Sequence, residues 1–364
     1  MMPVVPTRRF DLTQEQLDAI AHLMRLPKTV QTLGGYAGTG KTTVIKRLVS
    51  ELADFKVCAY TGKAAHVLRR KGVPASTIHS LVYVLESEDE KGRPRWRLAD
   101  DLKGAGGVIV DEASMVSEGI YNDLLTFEVP LIFVGDHGQL EPVERSNGQP
   151  FNLMAQPDVV LETIHRNAGE IARFAEWVRQ GNRPADWARQ PGCTGKAVRF
   201  RDIQQHVTDD ELLEVDQCIV AMNQTRVSAN RIARERLGRR GDGPAVGDRV
   251  MCLQNDKLRG LFNGQQGTIV SLHNNDEMTF EAEEGRRVRV PYMPDAFHAV
   301  KKPPRDRHGR LPFDYCWAAT CHKCQGSEWD DVLVIEERCP AWDHARWAYT
   351  AASRARKRVD WCEL

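Results

Sequence analysis

The sequence reads as an α/β protein of two parallel-sheet units, the second interrupted by a small all-β segment. Short apolar runs bounded by turn residues alternate with amphipathic helical stripes over about the first 160 residues. The same pattern returns around Cys218–Met222 and Val332–Ile335, two stretches far apart in the chain. Between them the apolar residues change to strict alternation, the period of a half-buried strand.

Leu17, Ile20, Ala21 and Met24 carry the i, i+3, i+4, i+7 spacing of a helix starting at Thr13 and ended by Pro27. Val30–Gly35 reads as a strand and, after a glycine-rich turn, Ile45, Leu48, Val49 and Leu52 form a second stripe. A strand at Lys56–Tyr60 and a helix from about Lys63 follow, then buried-strand runs at Gly107–Val110 and Leu131–Val134. The second unit has helices at Ile171–Arg179 and His344–Ala355. Its insertion contains Val250–Leu253, Gly267–Val270, and the alternating sets Met278, Phe280, Ala282 and Val288, Val290, Tyr292 on either side of a Glu-Gly turn. The boundaries read as 1–160 for the first unit, 161–245 with 313–364 for the second, and 246–312 for the insertion. A shorter polar insertion, 84–103, interrupts the first unit and carries Trp96.

Among 364 residues, 41% are hydrophobic and 27% charged, an ordinary globular composition. No run approaches the roughly 18 apolar residues of a membrane span, and the first ten residues lack a signal-peptide core, so a cytoplasmic protein without a membrane partner is expected. Lys+Arg and Asp+Glu are 50 each, so bulk charge does not announce a polyanionic partner. Local basic clusters do occur, at Arg69–Lys71, Lys301–Arg310 and Arg354–Arg358.

The strongest chemical signal is Gly35-Tyr-Ala-Gly38-Thr39-Gly40-Lys41-Thr42, a G-x-x-x-x-G-K-[ST] loop between a strand and a helix. Glycines let backbone N–H groups curl around phosphate oxygens, the helix N-terminus adds its dipole, Lys41 reaches the outer phosphates and the Thr42 hydroxyl suits Mg²⁺. Val108-Ile-Val-Asp111-Glu112 ends an apolar strand in two carboxylates, one fit for the Mg²⁺ shell and the other for the attacking water. Phe133-Val-Gly135-Asp136-His137-Gly-Gln139 runs another strand into polar residues, with Gln139 placed to sense a terminal phosphate.

Together these elements resemble the superfamily 1B DNA helicases of the RecD-like and Dda-like group. Tyr60-Thr61-Gly62-Lys63 and Thr77-Ile78-His79 resemble that group's DNA-contacting motifs. Leu161–Arg166 resembles the motif that supplies an arginine to ATP, while Thr320–Glu328 and Tyr349–Ala355 resemble the last two motifs. The resemblance implies two RecA-like P-loop NTPase domains with ATP and Mg²⁺ in the cleft between them, an SH3-like barrel for the β insertion and a strand-separating pin for 84–103. It implies ATP-driven 5′ to 3′ movement on single-stranded DNA by a monomer that separates forked duplex, with replication or recombination proteins as further partners. An RNA helicase and a regulatory ATPase indifferent to nucleic acid are the alternatives.

Catalysis is then expected from Lys41, Asp111, Glu112, Gln139, Arg166 and Arg354, and Mg²⁺ on Thr42 and Asp111. The nucleotide is expected on Gln16, Gly35, Gly38, Thr39, Gly40, Lys41, Thr42, Thr43, Gln325 and Gly326. Gln16 has two readings, an adenine reader or one half of a helix capping box with Thr13. Thr61, Lys63, Thr77, His79, Trp96, Thr320, His322 and Lys323 are expected on DNA, mostly on phosphates. Cys316, Cys321 and Cys324, with Cys339, have a spacing that can hold an iron–sulfur cluster. Two of them lie inside the resembled motif, where Cys324 reads as a replacement for serine.

Overall fold

The computed structural model describes residues 12–25, 29–88, 94–142, 145–146, 149–164, 169–202, 210–241, 243–256, 258–301, 306, 309–340 and 342–363. Thr13 caps α1 (Gln14–Leu23) reciprocally: its hydroxyl accepts from Gln16 N–H and its own N–H donates to Gln16 Oε1. There follow β1 (Val30–Gly35), α2 (Lys41–Glu51), β2 (Phe55–Ala59), α3 (Gly62–Arg70), β3 (Ala75–Thr77) and α4 (Ile78–Val82). Next come the hairpin strands β4 (Tyr83–Glu88) and β5 (Pro94–Leu98), then β6 (Gly107–Asp111), α5 (Glu118–Leu125) and β7 (Leu131–Gly135). The short pair β8 (Arg145–Ser146) and β9 (Gln149–Pro150) precedes β10 (Val159–Leu161).

Six of these strands form one parallel sheet in the order β10-β1-β7-β6-β2-β3. Alternation along each strand divides its side chains between two cores. Val57, Ile109, Ile132 and Val134 pack with Leu23, Val44, Ile45 and Leu48 from α1 and α2. On the other face, Cys58, Val108, Val110 and Phe133 pack with Ile78, Val82 and Leu124 from α4 and α5. Each such large aliphatic side chain contributes about 1.5–3 kcal/mol by burial. Covered on both faces, the sheet leaves only its strand ends for polar chemistry.

The second unit comprises α6 (Glu170–Arg179), β11 (Val198–Asp202), α7 (Glu211–Glu214), β12 (Gln217–Val220) and α8 (Asn223–Arg236) before its interruption. Five strands then form a separate antiparallel sheet: β13 (Arg249–Cys252), β14 (Gln266–His273), β15 (Glu277–Ala282), β16 (Arg287–Pro291) and β17 (Phe313–Tyr315). The unit resumes with β18 (Ala318–Thr320), α9 (Cys321–Cys324), β19 (Trp329–Glu336), α10 (His344–Ala352) and β20 (Ala355–Glu363). Its sheet is parallel throughout, in the order β11-β20-β19-β12-β18. Among the described residues no helix is long and apolar enough to cross a membrane.

Three local readings differ from the structure. The antiparallel sheet extends through Tyr315, because Phe313–Tyr315 pairs with β13, whereas the sequence pattern placed the return at 313. The last helix stops at Ala352 instead of Ala355, and the residues after it open a nine-residue strand. That strand begins with the basic run Arg356–Arg358, whose charges meet Asp330 and Asp331 at 2.7–3.5 Å on β19, so a sequence cluster is a cross-strand ion-pair ladder.

The passage from the antiparallel to the parallel sheet is fixed by one fully buried side chain. Asn230 on α8 donates through Nδ2 to the carbonyls of Tyr315 (3.1 Å) and Ala318 (3.0 Å), and its Oδ1 accepts from Ala318 N–H at 2.9 Å. Removing it leaves these backbone groups unpaired in a closed interior. Asn230→Ala should lower unfolding stability by about 2–4 kcal/mol, measured by denaturant titration.

Candidate nucleotide and nucleic-acid site

The phosphate loop joins β1 to α2 as the sequence order requires. Gly38 and Gly40 have φ of 88° and 87°, in the left-handed region where a side chain is strained. Lys41 Nζ donates to the carbonyls of Gly35 (2.6 Å) and Tyr36 (2.9 Å), and Thr39 Oγ1 donates to Tyr36 O at 2.9 Å. Thr42 and Thr43 lie in the first turn of α2. Gln16 caps α1 and also donates through Nε2 to Thr39 O at 3.2 Å, which sets it against the loop.

Asp111 ends β6 beside this loop, and Glu112 follows with φ 56° and ψ 42°, a left-handed conformation unusual for a residue with a side chain. Burial, then the neighbouring Asp111 carboxylate, push the Glu112 carboxyl up to about 7, while Arg354 and Lys41 oppose the rise. Burial likewise raises Asp111. A carboxyl held near neutrality is suited to taking a proton.

Residues of the second unit complete the surroundings. A Cβ added to Gly326 would lie 3.6 Å from Glu112 Oε1 and 3.8 Å from Thr61 Oγ1, so this glycine faces the acid across the units. Gln325 Nε2 donates to Leu140 O at 3.2 Å. Arg354 is buried and donates to Thr350 O, Ser327 O and Ser353 Oγ at 2.8–3.2 Å. Gln139 donates to Asp136 Oδ2 at 3.1 Å, and its buried Oε1 is unpaired. Arg166 lies outside the described residues.

A second cleft, of about 1290 Å³, lies between the two parallel-sheet units and the antiparallel sheet. Thr61, Lys63, Thr320, His322 and Lys323 line it together. Lys63 Nζ sits 5.0 Å from the Trp329 ring centroid and 3.8 Å from Glu283, and Lys323 donates to Asn263 at 3.3 Å. Burial pushes the His322 imidazole below its usual value, disfavouring its charged form, and its ring lies 5.6 Å from that of Trp342. Thr77 caps α4, and the His79 ring rests 5.3 Å from that of Tyr83, both away from the lining. Trp96 is on β5, opposite Leu85 and 54% exposed.

Sequence reasoning missed Trp342 and Arg346 in the cleft wall, neither of which sits in a recognisable pattern, and it read Asn263 only as part of the β insertion. It also missed the individual roles of Asp136 and Tyr349 inside motifs it had found. Cys316, Cys321 and Cys324 are buried free thiols, with burial pushing Cys316 and Cys324 up to about 12. Cys321 and Cys324 pack in the core of the second unit.

This fold and loop define a P-loop NTPase whose nucleotide loop is covered by a second α/β unit. Residues 11–198 match the AAA domain family and residues 315–359 the UvrD-like helicase C-terminal domain. The chain belongs to the AAA domain family and, within it, to the Pif1/RecD-like helicases of superfamily 1B. It is 24% identical to the ATP-dependent DNA helicase Pif1 of Bdellovibrio bacteriovorus over 97% of this chain and 88% of that protein. With the ATP-dependent RecD2 DNA helicase of Deinococcus radiodurans the figures are 28%, 96% and 49%, so the chain spans about half of that relative. The crystal structure of Bacteroides Pif1 with ADP-AlF3 and single-stranded DNA superposes with a TM-score of 0.66 over 97% of this chain and 92% of that one, at 22% identity.

If Glu112 acts on water and Lys41 on phosphate, the two separate hydrolysis from binding. Glu112→Gln should bind ATP as the wild type does and lose at least about a hundredfold in turnover, whereas Lys41→Ala should also weaken binding, both read by nucleotide fluorescence and steady-state ATPase.

Proposed function

We propose that this protein is an ATP-driven helicase that moves 5′ to 3′ along single-stranded DNA and separates duplex ahead of it. The observation that carries the reading is the facing of Glu112 and Thr61 by Gly326 across the two parallel-sheet units, where the phosphate loop and the second cleft adjoin. The parallel-sheet units are the two RecA-like domains, 1–160 and 161–245 with the C-terminal stretch. The antiparallel sheet is the SH3-like insertion.

In this reading Lys41 exchanges its carbonyl partners for phosphate oxygens, Glu112 takes the proton of the attacking water, and Arg354 offsets charge developing on the transferred phosphoryl group. Thr42 and Asp111 would hold Mg²⁺, since both are hard oxygen donors and burial disfavours the charged form of Asp111, a penalty a cation would offset; the ion, when bound, neutralises phosphate charge. Arg166 is assigned the second arginine by resemblance. Thr61, Lys63, Thr320, His322 and Lys323 grip the DNA backbone, so alternating grip by the two domains moves the strand. Such contacts carry no base sequence. The direction of travel, and replication or recombination proteins as partners, are carried over from the related helicases.

Single-stranded DNA should raise ATP turnover at least about tenfold, and 5′-tailed duplex should be unwound in preference to 3′-tailed. Stimulation by RNA alone would make the protein an RNA helicase, and indifference to both would favour the regulatory ATPase. Because the contacts are to phosphates, affinity should fall steeply with salt and vary little with sequence.

The β4–β5 hairpin is assigned the pin at the duplex junction, with the exposed Trp96 ring available to a base pair and Arg97 beside it. Trp96→Ala should leave DNA-stimulated ATPase within about twofold of wild type and cut strand displacement severalfold. Equal loss of both would assign the hairpin to folding or grip.

A further inference from the structure

Tyr349, on α10 of the second unit, reaches into the first. Its hydroxyl accepts from the N–H of Ala37, inside the phosphate loop, at 3.1 Å, and donates to Asp136 Oδ2 at 2.8 Å. The side chain is almost fully buried. One oxygen therefore ties together the phosphate loop and the loop after β7, and it does so from the opposite unit. Asp136 is itself fixed, accepting from Gly138 N–H at 3.0 Å and from Gln139 Nε2 at 3.1 Å.

The neighbourhood makes this contact directional. Arg346 donates to the carbonyls of His137 and Gln139 at 2.8 and 3.0 Å, and Thr350 accepts from Leu140 N–H at 3.0 Å, so successive turns of α10 dock on residues 136–140. Arg354 follows directly and donates through Nε to Thr350 O. Tyr36, next to Ala37 in the phosphate loop, has its ring 6.0 Å from that of Tyr349 and 4.4 Å from that of His137, and the Arg179 guanidinium lies 4.6 Å from it. A rigid helix that holds the loop at Tyr349 thereby holds Arg354 in register with it.

We infer that Tyr349 is a positioning residue for ATP turnover, whose hydroxyl sets the alignment of the phosphate loop, the Asp136–Gln139 loop and Arg354. The inference rests on the ATPase reading but not on DNA as the partner. Its hydrogen bonds are separable from its bulk, since the ring packs on Gly138, where an added Cβ would meet it at 3.0 Å, and Tyr349→Phe keeps that packing while removing the hydroxyl. Misalignment of a charge-stabilising group by a fraction of an ångström lowers the chemical step more than it lowers ground-state binding.

The test compares Tyr349→Phe, Asp136→Asn and the double variant in steady-state ATPase, with and without single-stranded DNA. Tyr349→Phe keeps the ring and should lose about tenfold in kcat with ATP KM within about threefold, in both conditions. The two substitutions should be non-additive, the double variant losing little more than the worse single. A Tyr349→Phe protein with wild-type kcat, a loss confined to KM, or additive losses would each overturn the assignment. Thermal unfolding of the Phe variant distinguishes a collapsed domain from a misaligned one: with folding intact, a kcat loss supports the assignment, and a variant that does not fold is replaced by Asp136→Asn alone, where the same kcat-not-KM split is required. If wild-type turnover ignores DNA, the helicase reading fails while the kcat comparison without DNA still decides the role of Tyr349.

Discussion

The docking of α10 on the loop after β7 is the contact on which the rest of the site depends. Tyr349, Arg346 and Thr350 each bond to residues 136–140, and Gln325 adds a bond to Leu140 from the end of α9. These bonds are buried or partly buried, where an unmet partner costs about 1–3 kcal/mol, so the interface holds one registration rather than a range. That registration brings Gly326 over Glu112, and it forms one wall of the cleft lined by Lys63 and Lys323. Shifting the two units apart would open both sites at once.

The sheets explain why the chemistry gathers where it does. A parallel sheet covered on both faces offers polar groups only at its strand ends. β1, β6 and β7 lie side by side and end at Gly35, Asp111 and Gly135, so the phosphate loop, the two acids and the Asp136–Gln139 loop emerge together. The antiparallel sheet does different work. Joined through β17 and held by Asn230, it carries Asn263 to Lys323 and Glu283 to Lys63, shaping the second cleft from outside.

Much of this was legible in the sequence because the signals are local. Short apolar runs beside glycine, lysine and paired acids mark strand ends whatever the fold around them. β3 and β10, of three residues each, were too short to register as periodicity, and β20 was obscured because its first half is basic and exposed. The partners of Tyr349 were not readable at all. They lie 312 and 213 residues away, and a lone tyrosine on a helical stripe says core before it says hydrogen bond.

If nucleotide and nucleic acid both act on one registration of the two units, their binding must be coupled, and coupling of binding free energies is reciprocal. The most direct measurement is the dissociation constant for a fluorescent single-stranded oligonucleotide, by anisotropy, with and without a saturating non-hydrolysable ATP analogue. The account predicts a shift of about fivefold or more, matched by an equal shift in analogue affinity when DNA is saturating. Identical DNA affinity in the two conditions would contradict it.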